Sequence, residues 1–289
     1  MNKYLRLLLF IFLISVPIFF YKASTNQPKQ EKKTISVRTI SKIPGKITPK
    51  GSGTENDINK PQVSNDENDA RTKIALIFDD LGESLNELKD IYSLDIPLTI
   101  SVIPGLKFSR NIAHIGMRSG YTVLIHLPFE PKQRQLKNNK FRYISGSLKE
   151  KEVKSLLRSY LNHIKIAKGV NNHMGSKATE NPKLMRIVFE ELKKRDLIFI
   201  DSRTSLDSVA YNIAQQMDVR SAYNEGFIDS LNDPRNISER IKELVKIAKN
   251  KGRIIVIAHP KKNTIEVLRK EIPQLKSEIH FITIEEYFK

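Results

Sequence analysis

The sequence predicts an α/β protein built around a parallel sheet, and three observations predict it. From residue 73 to residue 289, short runs rich in Ile and Val alternate with amphipathic stretches at helical spacing. The runs are apolar almost without interruption, as strands covered on both faces must be. Polar residues of the kinds that do chemistry recur at the C-terminal ends of these runs. Strand-helix alternation by itself fits an open doubly wound sheet or a closed barrel equally well.

The first residues, MNKYLR, are followed by an apolar run from Leu7 to Phe20. A basic start before a run of this length is the pattern of a signal peptide, since a spanning helix needs about 20 apolar residues. The flank Tyr21-Lys22-Ala23-Ser24 lacks a clean small-x-small cleavage site, so residues 1–21 are expected to be either a signal peptide or an uncleaved signal anchor. Residues 22–72 are rich in Lys, Ser, Thr, Asn, Pro and Gly without sustained periodicity. Such a stretch buries too little apolar surface to offset chain entropy and is expected to be a flexible tether. The folded domain is expected over 73–289.

Within that domain the expected strands are Ile74–Phe78, Leu98–Val102, Thr122–His126, Gly169–Asn171, Leu197–Ile200, Val219–Ala222, Arg253–Ala258 and His280–Ile284. Ser147 followed by Glu150 makes a capping box, and Leu148, Leu156, Tyr160 and Ile164 then form a helical stripe. Asn181-Pro182 supplies an N-cap and a first-turn proline for a helix carrying Leu184, Ile187, Val188 and Leu192. Ile237, Ile241, Leu244, Val245 and Ala248 form another stripe that stops at Gly252.

Five of these strands end in reactive side chains: Asp79-Asp80, His126 through Glu130, Asn171 through Ser176, Asp201 through Thr204, and His259. One His or Asp after a strand is more often a cap or a turn residue than a ligand. In a parallel α/β fold, however, all strand C-termini lie on one side, so five such ends bring their side chains together. Adjacent carboxylates at Asp79 and Asp80 can divide labour, one binding a cation and the other taking a proton from water. His126 and His173 offer imidazole nitrogens suited to Zn²⁺, and His259 is then free to protonate a leaving group.

Composition narrows the chemistry further. The chain has no cysteine, which removes disulfides, thiolate metal sites and a Cys nucleophile. No Gly-x-Ser-x-Gly elbow, phosphate-binding Gly-Lys-Ser/Thr loop or dinucleotide Gly fingerprint is present. The formal net charge is +17, but the basic residues are scattered rather than clustered. A solvated Lys-rich surface accounts for that better than a nucleic-acid stripe, and no aromatic interleaving accompanies the charge.

These residues resemble the divergent polysaccharide deacetylase family, a distant branch of the carbohydrate esterases that remove N-acetyl groups from amino sugars. The resemblance rests on IALIFDDLG (Ile74–Gly82), PLTISVIPG (Pro97–Gly105), HLPFEP (His126–Pro131), NNHMGS (Asn171–Ser176), FIDSRTS (Phe199–Ser205) and AHP (Ala258–Pro260), in family order across about residues 73–289. It implies an irregular (β/α) barrel of about seven parallel units, a divalent metal, by preference Zn²⁺, and a glycan substrate outside the cytoplasm. It implies Asp79 as general base, Asp80 and His126 as metal ligands and His259 as general acid. Ordinary deacetylases place a second His a few residues after the first, where this chain has Glu130. His173 is therefore the preferred third ligand, with Glu130 as the alternative or as a substrate contact. Asp201 and Arg203 are expected to orient His259 or hold substrate, and Asn172 to contact substrate. A further departure is Asn224-Glu225 before Phe227-Ile228-Asp229, where this branch tends to carry Arg-Asp.

The resulting expectation is an exported, metal-dependent hydrolase acting on an envelope or extracellular polysaccharide. It would be periplasmic or in the cell envelope, secreted or anchored in the inner membrane. The competing expectation is a catalytically weak barrel that binds glycan or serves as an envelope scaffold. A nucleic-acid partner is not expected.

Overall fold

The computed structural model describes residues 71–133 and 142–289. The expected signal segment at 1–21 and nearly all of the expected tether lie outside the described residues. Nine strands are present among the described residues: β1 (Thr72–Leu81), β2 (Thr99–Val102), β3 (Thr122–Phe129), β4 (Gly169–Met174), β5 (Ile198–Asp201), β6 (Ser221–Tyr223), β7 (Gly226–Phe227), β8 (Arg253–Ala258) and β9 (Ile279–Ile282). Interleaved with them are α1 (Leu85–Tyr92), α2 (Ser109–Arg118), α3 (Glu150–His163), α4 (Pro182–Lys193), α5 (Ala210–Gln216), α6 (Pro234–Lys251), α7 (Lys262–Leu275) and α8 (Ile284–Tyr287).

All pairings between these strands are parallel, in the order β6-β5-β4-β3-β2-β1-β8-β7. The two ends of that path belong to one stretch of chain. Ser221–Tyr223 pairs with β5, and after Asn224 and Glu225 the same stretch pairs with β8 through Gly226 and Phe227. The sheet therefore curls into a barrel with a stitched seam, and β1 to β5, the β6–β7 stretch and β8 are its seven stations. β9 pairs with Thr72–Ala75 of β1, whereas β2 pairs with Ile77–Leu81. Because β8 occupies the opposite edge of β1, β9 must sit below β2 on the shared edge.

Strand periodicity divides the apolar residues between two cores. Ala75, Ile77, Leu124, Ile200, Ile255 and Ile257 face inward, with Ile282 and Ile284 closing one end of the barrel. Ile74, Leu76, Phe78, Ile125, Val170 and Phe199 face outward and pack under the helices. At the upper end of each inward row, aliphatic side chains give way to polar ones: Asp79 follows Ile77, His126 follows Leu124, and His259 follows Ile257. The alternation thus sets these side chains at the mouth.

The helices show where local signals held and where they were overridden. Asn181 caps α4 by accepting from the Leu184 amide at 3.0 Å, with Pro182 in the first turn. Gly252 ends α6 with φ +78°, a left-handed conformation that favours glycine. The N-cap of helix α3, by contrast, is Lys149, two residues beyond the expected Ser147. Ser147 Oγ lies 2.9 Å from Ser145 Oγ, so its hydroxyl is engaged outside the helix, and the Lys149 amide donates instead to Glu152 at 3.0 Å. The buried stripe of α3 is accordingly Val153, Leu157 and Leu161, while the expected Leu148, Leu156 and Tyr160 are only partly buried. The last strand is shorter than expected. Thr283 accepts from the Glu286 amide and begins α8, so Ile284 is helical.

Candidate metal and acid-base site

Adjacent residues of a regular strand point to opposite faces, so Asp79 and Asp80 could not both serve one site. The register of β1 against β2 shifts between Phe78 and Leu81, and Asp80 takes φ +65° in that irregularity. Such a bulge re-aims a side chain. Both carboxylates consequently approach His126: its Nε2 lies 3.1 Å from Asp80 Oδ1 and 3.6 Å from Asp79 Oδ2.

The second imidazole comes from β4. In register, His126 faces Asn171 and Pro128 faces His173, so His173 stands one inward step above Asn171. His173 Nδ1 lies 2.8 Å from Asp80 Oδ1, and the His126 and His173 rings meet edge to face at 4.9 Å. Directly beyond, Met174 and Gly175 adopt φ +55° and +94° and turn the chain away. A Cβ at Gly175 would stand 2.8 Å from the Phe129 Cβ, so glycine is needed for both space and backbone conformation.

Asp80, His126 and His173 each offer a ligand atom, all within 4.8 Å of one another. One carboxylate oxygen and two imidazole nitrogens, with no thiolate, form a donor set that fits Zn²⁺ with a position left for water or substrate. Glu130, the alternative third ligand, is directed elsewhere. It accepts from Ser145 Oγ and pairs with Lys177 at 2.9 Å, fastening the 142–147 and 176–178 loops to the end of β3.

His259 follows β8 on the other side of the mouth. Its Nδ1 lies 2.9 Å from Asp229 Oδ1, its backbone amide donates to Asp229 Oδ2 at 3.1 Å, and its ring stacks on Phe227. Its Nε2 faces Asp80 Oδ2 at 3.7 Å. Asp229 is fully buried and also accepts from Thr264 Oγ1 at 2.9 Å.

Burial pushes Asp79 up from its ordinary carboxylate value, against the pull of His126, His259 and the Asn171 amide. Burial also works against ionisation of Asp80, but hydrogen bonds from His126 and His173 outweigh it and hold that carboxyl well below the usual range. The two imidazoles respond in the opposite sense. Burial alone would lower His126, yet Asp79 and Asp80 raise it. His259 is likewise raised despite burial, chiefly by its hydrogen bond to Asp229. Asp229 is correspondingly lowered, its burial offset by His259, Lys261 and Thr264.

Three expected contacts lie apart from this cluster. Asp201, expected to orient His259, accepts from the Arg203 amide at 2.9 Å and from Ser208 Oγ at 2.7 Å, closing its own loop. Arg203 stacks its guanidinium 3.6 Å over Tyr223. Asn172, expected to touch substrate, is buried and braces loops, accepting from the Ser202 amide and donating to the Met174 carbonyl. At the seam, Asn224 donates to the Ser202 carbonyl and Glu225 pairs with Lys251 at 2.8 Å, so the departure from Arg-Asp is absorbed into the stitch.

Two residues of the site escaped the sequence reading. Asp229 stands in Phe227-Ile228-Asp229, a repeat of Phe199-Ile200-Asp201, and the His259 partner was assigned to the first copy rather than the second. Asn171 stands beside Asn172 and His173, which were singled out instead. Its signal was the inward row of β4, which it shares with His173.

Comparison with known proteins bears on the family and the fold. Residues 76–288 match the model of the family described as divergent polysaccharide deacetylase. An uncharacterized protein of Haemophilus influenzae is 31% identical over 213 residues, which cover 74% of this chain and 75% of that protein. The uncharacterized protein YibQ of Escherichia coli is 30% identical over 211 residues, covering 73% of this chain and 65% of its own length. Among solved structures, an uncharacterized protein from Agrobacterium tumefaciens C58 superposes with a TM-score of 0.70 at 19% identity, covering 75% of this chain and 89% of that one.

Proposed function

Because the chain belongs to the divergent polysaccharide deacetylase family, we propose that it is a metal-dependent amide hydrolase that removes N-acetyl groups from an envelope or extracellular polysaccharide. The observation that carries this reading is the convergence of a three-donor cation site (Asp80, His126, His173) with a buried carboxylate, Asp79, on one side and an Asp-supported imidazole, His259, on the other.

Asp80, His126 and His173 would hold the ion. The chemistry such an ion supplies is Lewis acidity toward a carbonyl oxygen and a lowered pKa for water. Asp79 acts as general base: it takes a proton from water as the oxygen adds to the acyl carbon. Its Oδ1 is held by the Asn171 amide at 2.8 Å, which leaves Oδ2 to receive that proton. His259 donates a proton to the nitrogen as the carbon-nitrogen bond breaks, so acetate and a free amine result. Asp229 fixes the His259 ring through Nδ1 and stabilises the imidazolium, leaving Nε2 to deliver the proton. Export to the envelope belongs to the same proposal and rests on the basic start and the Leu7–Phe20 apolar run.

The full-length protein, loaded with zinc and given N-acetylglucosamine oligomers, is expected to release acetate. An Asp80→Asn variant is expected to lose zinc uptake and turnover together. Full acetate release by that variant would remove the cation site from the reaction. Zinc and glycan binding by the wild type without any acetate release would favour a glycan-binding scaffold instead.

A further inference from the structure

Asn171 is fully buried on the inward face of β4 and touches three strands at once. Its Nδ2 donates to Asp79 Oδ1 on β1 at 2.8 Å. Its Oδ1 accepts from Ser101 Oγ on β2 at 2.5 Å and lies 2.8 Å from His126 Nδ1 on β3. A side-chain amide has one accepting end and one donating end, so these contacts are not independent.

An ionised carboxylate can only accept, so with Asp79 as the base the NH₂ end of Asn171 must face it. That sets the amide oxygen toward Ser101 and His126. The serine hydroxyl donates into that oxygen. An amide oxygen also only accepts, so His126 must carry its hydrogen on Nδ1. In the neutral imidazole that a cation would require, Nε2 then keeps the lone pair, on the side where Asp80 lies at 3.1 Å. A metal-binding histidine has its tautomer and ring orientation fixed by the partner of its other nitrogen. Usually that partner serves the ligand alone.

We infer that Asn171 is a positioning residue that serves the base and the cation site with the two ends of one amide: the NH₂ end aims the Asp79 carboxylate, and the oxygen end fixes His126 as an Nε2 ligand. The inference rests on the hydrolase reading above and extends it to a residue that touches neither ion nor substrate. It also accounts for Ser101, a buried hydroxyl on β2 that otherwise has no part in the chemistry.

The two ends can be separated by substitution. Asn171→Ala removes both. Asn171→Asp, nearly isosteric, keeps an oxygen toward Ser101 and His126 but sets a second oxygen against Asp79 in place of the donor. Zinc affinity, measured by competition with a chromogenic chelator, needs no substrate. It is expected to fall roughly 10–100-fold in Asn171→Ala and to remain at or above the wild-type value in Asn171→Asp. Turnover of N-acetylglucosamine oligomers at saturating zinc is expected to fall at least about tenfold in Asn171→Asp, with KM nearly unchanged, because the base and not substrate binding is disturbed. A merely structural asparagine would weaken zinc binding and turnover in parallel in both variants.

If Asn171→Ala fails to fold, Ser101→Ala reports on the oxygen end and is expected to weaken zinc binding by a smaller factor. Equal zinc affinity in the wild type, Asn171→Ala and Ser101→Ala overturns the inference and leaves the hydrolase reading standing. A wild-type protein that takes up no zinc overturns the hydrolase reading itself, and the inference with it.

Discussion

Asp229 accepts hydrogen bonds from the His259 backbone amide and Thr264 and holds the His259 ring at 2.9 Å, yet it is not among the three residues that could hold a cation. Replacing it should therefore affect proton delivery and spare cation binding. An Asp229→Asn variant is expected to lose about a hundredfold in kcat, the lower end of what one positioned proton donor contributes. Its zinc affinity is expected to match the wild type, and the pair of measurements checks the division of labour. At this scale the sequence was legible wherever chemistry and position coincided. Asp79, Asp80, His126, His173 and His259 could be picked out because each ends a strand and each is reactive. Asp229 and Asn171 could not, because their importance lies in what they touch. Hydrogen-bond partners 30 and 92 residues away leave no local trace in a sequence.

Among the elements, the contact of α3 with α4 carries a buried charge. Glu191 of α4 is almost fully buried and accepts from Arg158 of α3 at 2.7 and 2.9 Å and from Lys194 at 2.8 Å. The hydrogen bonds from Arg158 hold its carboxyl at about 2, below the ordinary 4.5. A carboxylate with a depressed folded value contributes stability that is fully present above its ordinary value. That contribution is lost as pH falls from about 4.5 toward about 2. Glu191→Gln is expected to cost about 2 kcal/mol near neutrality. In urea titrations the gap between wild type and variant should shrink across that acid window. A gap unchanged at pH 3 would show that the charge is not what joins the helices. The same helix pair shows why element boundaries were less legible than element types. Ser147 has the spacing of a cap, but its hydroxyl pairs with that of Ser145, and the cap of α3 falls at Lys149 instead.

For the molecule as a whole, the two cores are unequal, and the inner one relies on a small closure at the end of the barrel away from the site. Ile284 is fully buried there, and its amide donates to Thr99 Oγ1 at 2.9 Å. Ile284→Ala should cost about 2–5 kcal/mol, the range for truncating a buried aliphatic side chain. It should lower the thermal midpoint without changing zinc affinity, since the ligands sit at the opposite end. Parallel α/β organisation was legible from alternation because the longer strands are largely buried on both faces. The closing of the sheet was legible only through the family resemblance, because it depends on β7, a strand of two residues with no periodicity to read.

The stitch at 221–227 runs on within two residues to Asp229, while the cation ligands all come from β1, β3 and β4. On the proposed reading, gripping an ion and delivering a proton are therefore tasks of different arcs of the circle, which the stitch joins.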